Sequence, residues 1–219
     1  TGQIGIDLNS PTDDISFGTL PFHSLNDVGD ADSGGNGLLN FPVLLSANLL
    51  GGNLILSGLA RPGSVIELFV ASPDPTGFGE GTTYGITLTE GGTGSGGNDP
   101  YADTSAMTGT YGPGPVNGIA QGTDTTSRFR FAFPAPVGIA VGMRLTATAT
   151  LGGETSEFSG NVTVADATAV TLMSFEAAPS DGTVDLTWRT GSEVDNLGFH
   201  VYRSLSEEGP WARLTSSLI

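Results

Sequence analysis

The sequence predicts an all-β protein, and three observations carry that reading. Its apolar runs are short, and Gly, Pro or Asn bounds each one. Within the runs, apolar and polar residues alternate with a period of two. Thr, Val and 34 Gly are abundant, Lys is absent, and no long window repeats Glu or Ala at helical spacing.

The first forty residues form an acidic, loop-rich extension. Asp7, Asp13, Asp14, Asp27, Asp30 and Asp32 lie there with one histidine and no Lys or Arg. Only GQIGIDL alternates well enough to predict a strand, with Ile4 and Ile6 on one face.

From residue 41 to about 165 the pattern becomes strand, turn, strand. PVLLSANLL, NLILSGLA, SVIELFVAS, TTYGITLTE, SRFRFAFPAP, MRLTATATL and SEFSGNVTVA each end at a turn residue. Phe129, Phe131 and Phe133 share one face, opposite Arg128 and Arg130. Met143, Leu145, Ala147 and Ala149 likewise oppose Arg144, Thr146, Thr148 and Thr150, so one face is expected in the core and the other in water. Short antiparallel strands in this number fit an immunoglobulin-like sandwich. Residues 91–127, rich in Gly, Thr and Pro and without periodicity, form a long insertion, and such loops are either functional or mobile.

A second pattern spans residues 166–219. Val184, Leu186 and Trp188 alternate with Asp185, Thr187 and Arg189, Phe199 and Val201 alternate in the next strand, and GPW leads into a fourth. Four strands amount to half a sandwich, too little to bury Trp188 alone. A neighbouring copy, or a continuation of the polypeptide, is expected to cover Trp188, Phe199, Val201 and Tyr202 by β-strand addition.

Charge narrows the partners. Twenty-three acids against seven arginines give a net charge of −16, which disfavours nucleic acid and anionic lipid and favours cations. Cysteine is absent, excluding disulfides, thiolate zinc sites and iron–sulfur clusters. No run of eighteen apolar residues and no basic-then-apolar start occurs, so neither a membrane span nor a signal peptide is expected.

Two stretches resemble known families. IGIDL, followed by NDVGDADSGGNGLLNFPVL, is similar to a junction in large secreted bacterial surface proteins, where the last rung of a right-handed parallel β-helix passes into an immunoglobulin-like domain. SVIELF, TGFGEGTTY and RLTATATLGGETSEFSGNV extend the resemblance over most of residues 3–164, and the 91–127 insertion departs from it. The tail WRTGSEVDNLGFHVYRS resembles the first half of a bacterial fibronectin type III-like domain. These resemblances imply scaffolding, spacing and adhesion outside the cell.

Besides the tail residues, three groups are candidate sites. Asp27, Asp30, Asp32 and Asn36 offer calcium the oxygen ligands it takes from a flexible loop. The spacing is not that of an EF-hand, because counting from Asp30 puts Phe41 where the bidentate Glu belongs. The alternative is that these acids form Asx turns and accept nearby backbone N–H groups. Asp74, Glu80, Asp99 and Asp103 are a second, weaker set. Tyr101 and Tyr111 on the insertion would either stack on a glycan or anchor the loop to the sandwich. No catalytic residue is proposed: His23 and His200 lack a nucleophile motif, no acid stands in an apolar frame, and GGTGSGG lacks the lysine of a phosphate loop. The expected role is therefore non-catalytic and structural, at a cell surface or in the extracellular space, with calcium as the possible cofactor and adhesion or glycan binding through the insertion as the alternative.

Overall fold

Strands form where β-branched and aromatic residues alternate with polar ones, and the chain is nearly all β. The computed structural model describes residues 4–14, 16, 22–105, 114–124, 127–167, 170–193, 198–206 and 208–219. The chain divides into two units, Thr1–Asp166 and Ala167–Ile219.

The first unit holds β1 (Val43–Leu50), β2 (Asn53–Ala60), β3 (Val65–Ala71), β4 (Gly81–Thr89), β5 (Ser127–Pro134), β6 (Arg144–Leu151), β7 (Glu154–Thr155) and β8 (Val162–Asp166). Hydrogen bonding follows the order β4-β3-β6-β8-β1-β2-β5, with β7 added to β6. β8 bridges the two halves of this path: Val162 and Thr163 pair antiparallel with β6, while residues 164–166 pair parallel with β1. The path curls so that Phe129, Phe131 and Phe133 of β5 meet Ile66 and Leu68 of β3 and Leu145 and Ala147 of β6 in one core. Fully burying each such side chain stabilises by about 1.5–3 kcal/mol. A smaller cluster of Phe41, Val43, Leu59, Phe78 and Val116 lies beside it.

Some departures from the alternation have local causes. β1 carries a bulge between Leu44 and Ser46, which leaves Leu45 exposed within an apolar run. Met143 precedes β6 and is exposed rather than inward. Thr146 and Thr148, expected in water, are buried, and the Thr146 hydroxyl donates to the Ser159 oxygen at 2.9 Å. SEFSGNVTVA is not one strand. Instead, Ser156 and Ser159 donate their N–H groups to Ala149 and Ala147 oxygens, at 2.9 and 2.8 Å. Their hydroxyls accept the N–H groups of Ala149 and Ala147, at 2.9 and 3.0 Å. Side chains thus complete a ladder where strand geometry fails. No strand forms over Ile4–Leu8 either, and the Leu8 N–H donates to a carboxylate, described below.

The second unit pairs β9 (Val170–Ser180) with β10 (Thr183–Glu193) and β11 (Tyr202–Arg203) with β12 (Ala212–Arg213), as two antiparallel two-stranded sheets. Asp181 and Gly182, both at positive φ (38° and 83°), make the tight turn between β9 and β10. Beyond β12 the chain stays beside the segment at 199–201: Leu214 donates to the Val201 oxygen, and Phe199 and Ile219 exchange main-chain bonds.

Candidate functional site

The acidic turn is organised by protein donors. The Ala31 N–H donates to both Asp27 carboxylate oxygens, at 3.1 and 3.2 Å, and the Asn40 N–H donates to Asp30 Oδ1 at 2.8 Å. Arg61 approaches Asp30 at 3.9 Å and Asp124 at 3.3 Å, and fully buried Asp124 also accepts the Gly29 N–H at 3.0 Å. Asp32 feels the charges of Asp27 and Asp30. Burial first, and then those two charges, push its pKa upward. Asn36 is engaged elsewhere, its amide oxygen accepting the Thr155 N–H at 3.2 Å.

Two asparagines sew this segment to β1. Asn26 accepts the Phe41 N–H and donates to the Phe41 oxygen, both at 2.9 Å. Asn40 accepts the Asp27 N–H at 3.0 Å and donates to the Asp27 oxygen at 2.9 Å. Gly122 meets Asn26 from the other side in a parallel bridge. A Cβ on Gly122 would lie 2.0 Å from the Asn26 oxygen, and its φ of +86° also excludes other residues.

A further anchor was not visible in the sequence. Glu157, 1% exposed, accepts the Leu8 N–H at 2.8 Å and the Ser24 N–H at 2.7 Å. Burial pushes its pKa to about 7. The two N–H donors oppose that rise, and the charges of Asp7 and Asp13 add to it. No local pattern marks Glu157, because its partners lie 149 and 133 residues away.

Asp74, Glu80, Asp99 and Asp103 fall into separate turns. Asp74 accepts the Thr76 N–H at 2.7 Å, and Glu80 lies against Gly5. Asp99 Oδ2 accepts the N–H groups of Thr93, Gly94 and Ser95, and those bonds, Ser95 first, hold its carboxyl below the usual range. Asp103 Oδ1 ties the insertion to β5 by accepting the Arg130 N–H at 2.9 Å. Among the described residues, no group of three or more His, Asp or Glu is placed to hold a metal ion. Tyr101 packs against Phe133 at 5.6 Å between ring centroids, whereas Tyr111 lies outside the described residues. His23 stacks on Phe78 at 4.1 Å, and His200 Nδ1 lies 3.1 Å from the Thr215 hydroxyl.

The residues expected at an assembly surface do come together. Trp188 is paired across the β9–β10 ladder with Phe175 and meets Phe199 edge-on at 5.7 Å. With Val201 and Tyr202 they line an apolar hollow of about 360 Å³. This face is open: Phe175 is 54% exposed and Val184 61%.

The first unit carries a second hollow, polar and of about 380 Å³, between the turn at 74–77 and the start of β6 and β8. Sequence reading missed it because its walls come from four distant segments. Among the described residues, no helix is long and apolar enough to cross a membrane. A scan against protein-family models and a search of curated proteins each found no match to this chain.

Proposed function

We propose that this chain is a non-catalytic structural segment of a secreted or cell-surface bacterial protein. In this reading the first unit is an immunoglobulin-like sandwich. The second is a fibronectin type III-like half completed by a β-strand from a neighbouring copy or an adjoining module. The strand order and the parallel β1–β8 pairing support the first assignment. The β9–β10 hairpin with its Trp188 supports the second.

One observation carries the proposal: the apolar face of β9 and β10 is only partly covered, with Leu186 and Trp188 half-buried and their neighbours exposed. In the first unit the phenylalanines of β5 are sealed, yet here Phe175 and Val184 are more than half exposed. Contiguous apolar surface of this kind marks an interaction site. A two-stranded sheet also leaves two edges of unpaired N–H and C=O groups, the template for strand addition. Donation from copy to copy, head to tail, is a contact that does not close, and it builds a filament.

Calcium belongs to the same proposal as a ligand of the acidic turn. The mutual repulsion of Asp27, Asp30 and Asp32 is what a divalent cation would relieve. The assembly reading is tested by sedimentation velocity over a concentration series of the chain and of its Phe175→Asp variant. Concentration-dependent association that the variant abolishes is the expected result. A chain that stays monomeric throughout, or a variant that associates as well as the parent, contradicts the reading.

A further inference from the structure

The polar hollow of the first unit has the features of a binding cleft. Its walls include Asp74 and Thr76 from one turn, Asn117 from the long insertion, Arg144 at the start of β6, and Asn161 and Thr163 at the start of β8. Its volume, about 380 Å³, lies within the range of small-ligand sites. Two observations bear on what it could bind.

The first is an orphaned amide. Asn161 is 5% exposed, and neither atom of its side-chain amide has a hydrogen-bond partner. Its main chain is fully used: the N–H donates to the Gly77 oxygen at 2.7 Å, and the carbonyl accepts Asn117 Nδ2 at 3.2 Å. Close by, Gln121 is 1% exposed and packs on Gly160, and its Oε1 also lacks a partner. Buried polar atoms are rarely left unpaired, so a water molecule or a polar group of a ligand is the expected partner here.

The second is an unpaired cation. Both ion pairs among the described residues belong to Arg61. Arg144 is exposed, and among the described residues its guanidinium has no carboxylate or other acceptor, in a chain of net charge −16.

We propose that this cleft binds a carboxylated sugar, a single uronate in an otherwise neutral glycan. Arg144 takes the sugar carboxylate, because a guanidinium presents two parallel N–H groups in the geometry a carboxylate accepts. The amides of Asn117 and Asn161 and the hydroxyl of Thr163 both donate and accept, as sugar hydroxyls do, whereas the Thr76 hydroxyl is held by Asp74 and the Phe78 N–H. Asp74 accepts only, and so receives a hydrogen bond from a sugar hydroxyl. Pro75 and Ile119 offer apolar surface to the C–H face of the ring. One cation sharing the cleft with the Asp74 carboxylate does not fit a phosphate dianion, and a net charge of −16 repels a polyanionic glycan. An isolated uronate satisfies both limits. The inference concerns the first unit alone and is independent of the assembly reading.

The test is a ¹⁵N–¹H NMR titration of the whole chain with methyl β-D-glucuronide and, separately, methyl β-D-glucoside. The expected result is binding of the glucuronide about tenfold tighter than the glucoside, with shifts in the Asn117 and Asn161 side-chain NH₂ signals. Arg144→Gln should reduce the glucuronide to the glucoside's affinity without changing Tm, because Arg144 is exposed. Asn117→Ala should weaken both sugars. Absence of binding by either sugar at millimolar concentration overturns the proposal. So does equal affinity for the two, or a preference that survives Arg144→Gln.

Discussion

Asn26 and Asn40 do with side chains what a β-ladder does with main chain. Each amide satisfies one N–H and one C=O of the opposing segment, and Asn26 does so where both partners are buried. Asn26→Ala would strand the Phe41 N–H and C=O, and it is expected to lower unfolding stability by about 2–3 kcal/mol in urea titration. A loss below about 0.5 kcal/mol, the size of an ordinary surface change, would count against the clasp. Glu157 acts on the same segment with a pH dependence. Its folded pKa is raised from 4.5 to about 7, so the stability it contributes is fully present below pH 4.5 and is lost as pH rises through 7. Asp7, Asp32 and Glu90 shift in the same direction, each by burial first. The protein should therefore melt higher near pH 5 than near pH 8, with Glu157 supplying at most about 3 kcal/mol of the difference. Glu157→Gln should remove most of that slope, and an unchanged slope in the variant would refute the assignment.

At the scale of elements, the strands were legible and their irregularities were not. Alternation placed Phe129, Phe131 and Phe133 inward because a period of two assigns faces without any knowledge of partners. It misplaced the buried Thr146 and Thr148, and the partner of the Thr146 hydroxyl, the Ser159 oxygen, comes from an irregular segment that no local pattern announces. The bulge at Leu45 breaks the period from within and was equally hidden. The candidate sites divide the same way. Trp188 was placed by the alternation of β10, but Phe199 and Val201, expected in the next strand, precede the two-residue β11. The Glu157 anchor and the Asn161 cleft likewise arise from contacts between distant segments. The serine ladder can be tested directly: Ser159→Ala leaves the Ala147 N–H buried without an acceptor, and a loss of about 1–3 kcal/mol is expected by chemical denaturation. Gly58→Ala should cost at least as much, since a Cβ there would lie 2.4 Å from both the Phe129 ring and the Val43 oxygen.

For the whole molecule, charge and apolar exposure set its interactions. A chain at −16 benefits from any added salt through screening, so calcium must be judged against sodium chloride at equal ionic strength. If the acidic turn binds calcium, millimolar calcium raises Tm beyond that control and a chelator reverses the gain. Identical melting in both salts removes calcium from the account. The central claim rests on the second unit, where β9 and β10 form a sheet of two strands with exposed apolar side chains. Hydrogen exchange read by mass spectrometry across residues 170–193, at low and high protein concentration, tests it most directly. Strand addition predicts that the edge amides of β9 or β10 exchange freely when dilute and become protected as concentration rises, and exchange that stays equally fast at every concentration would contradict it.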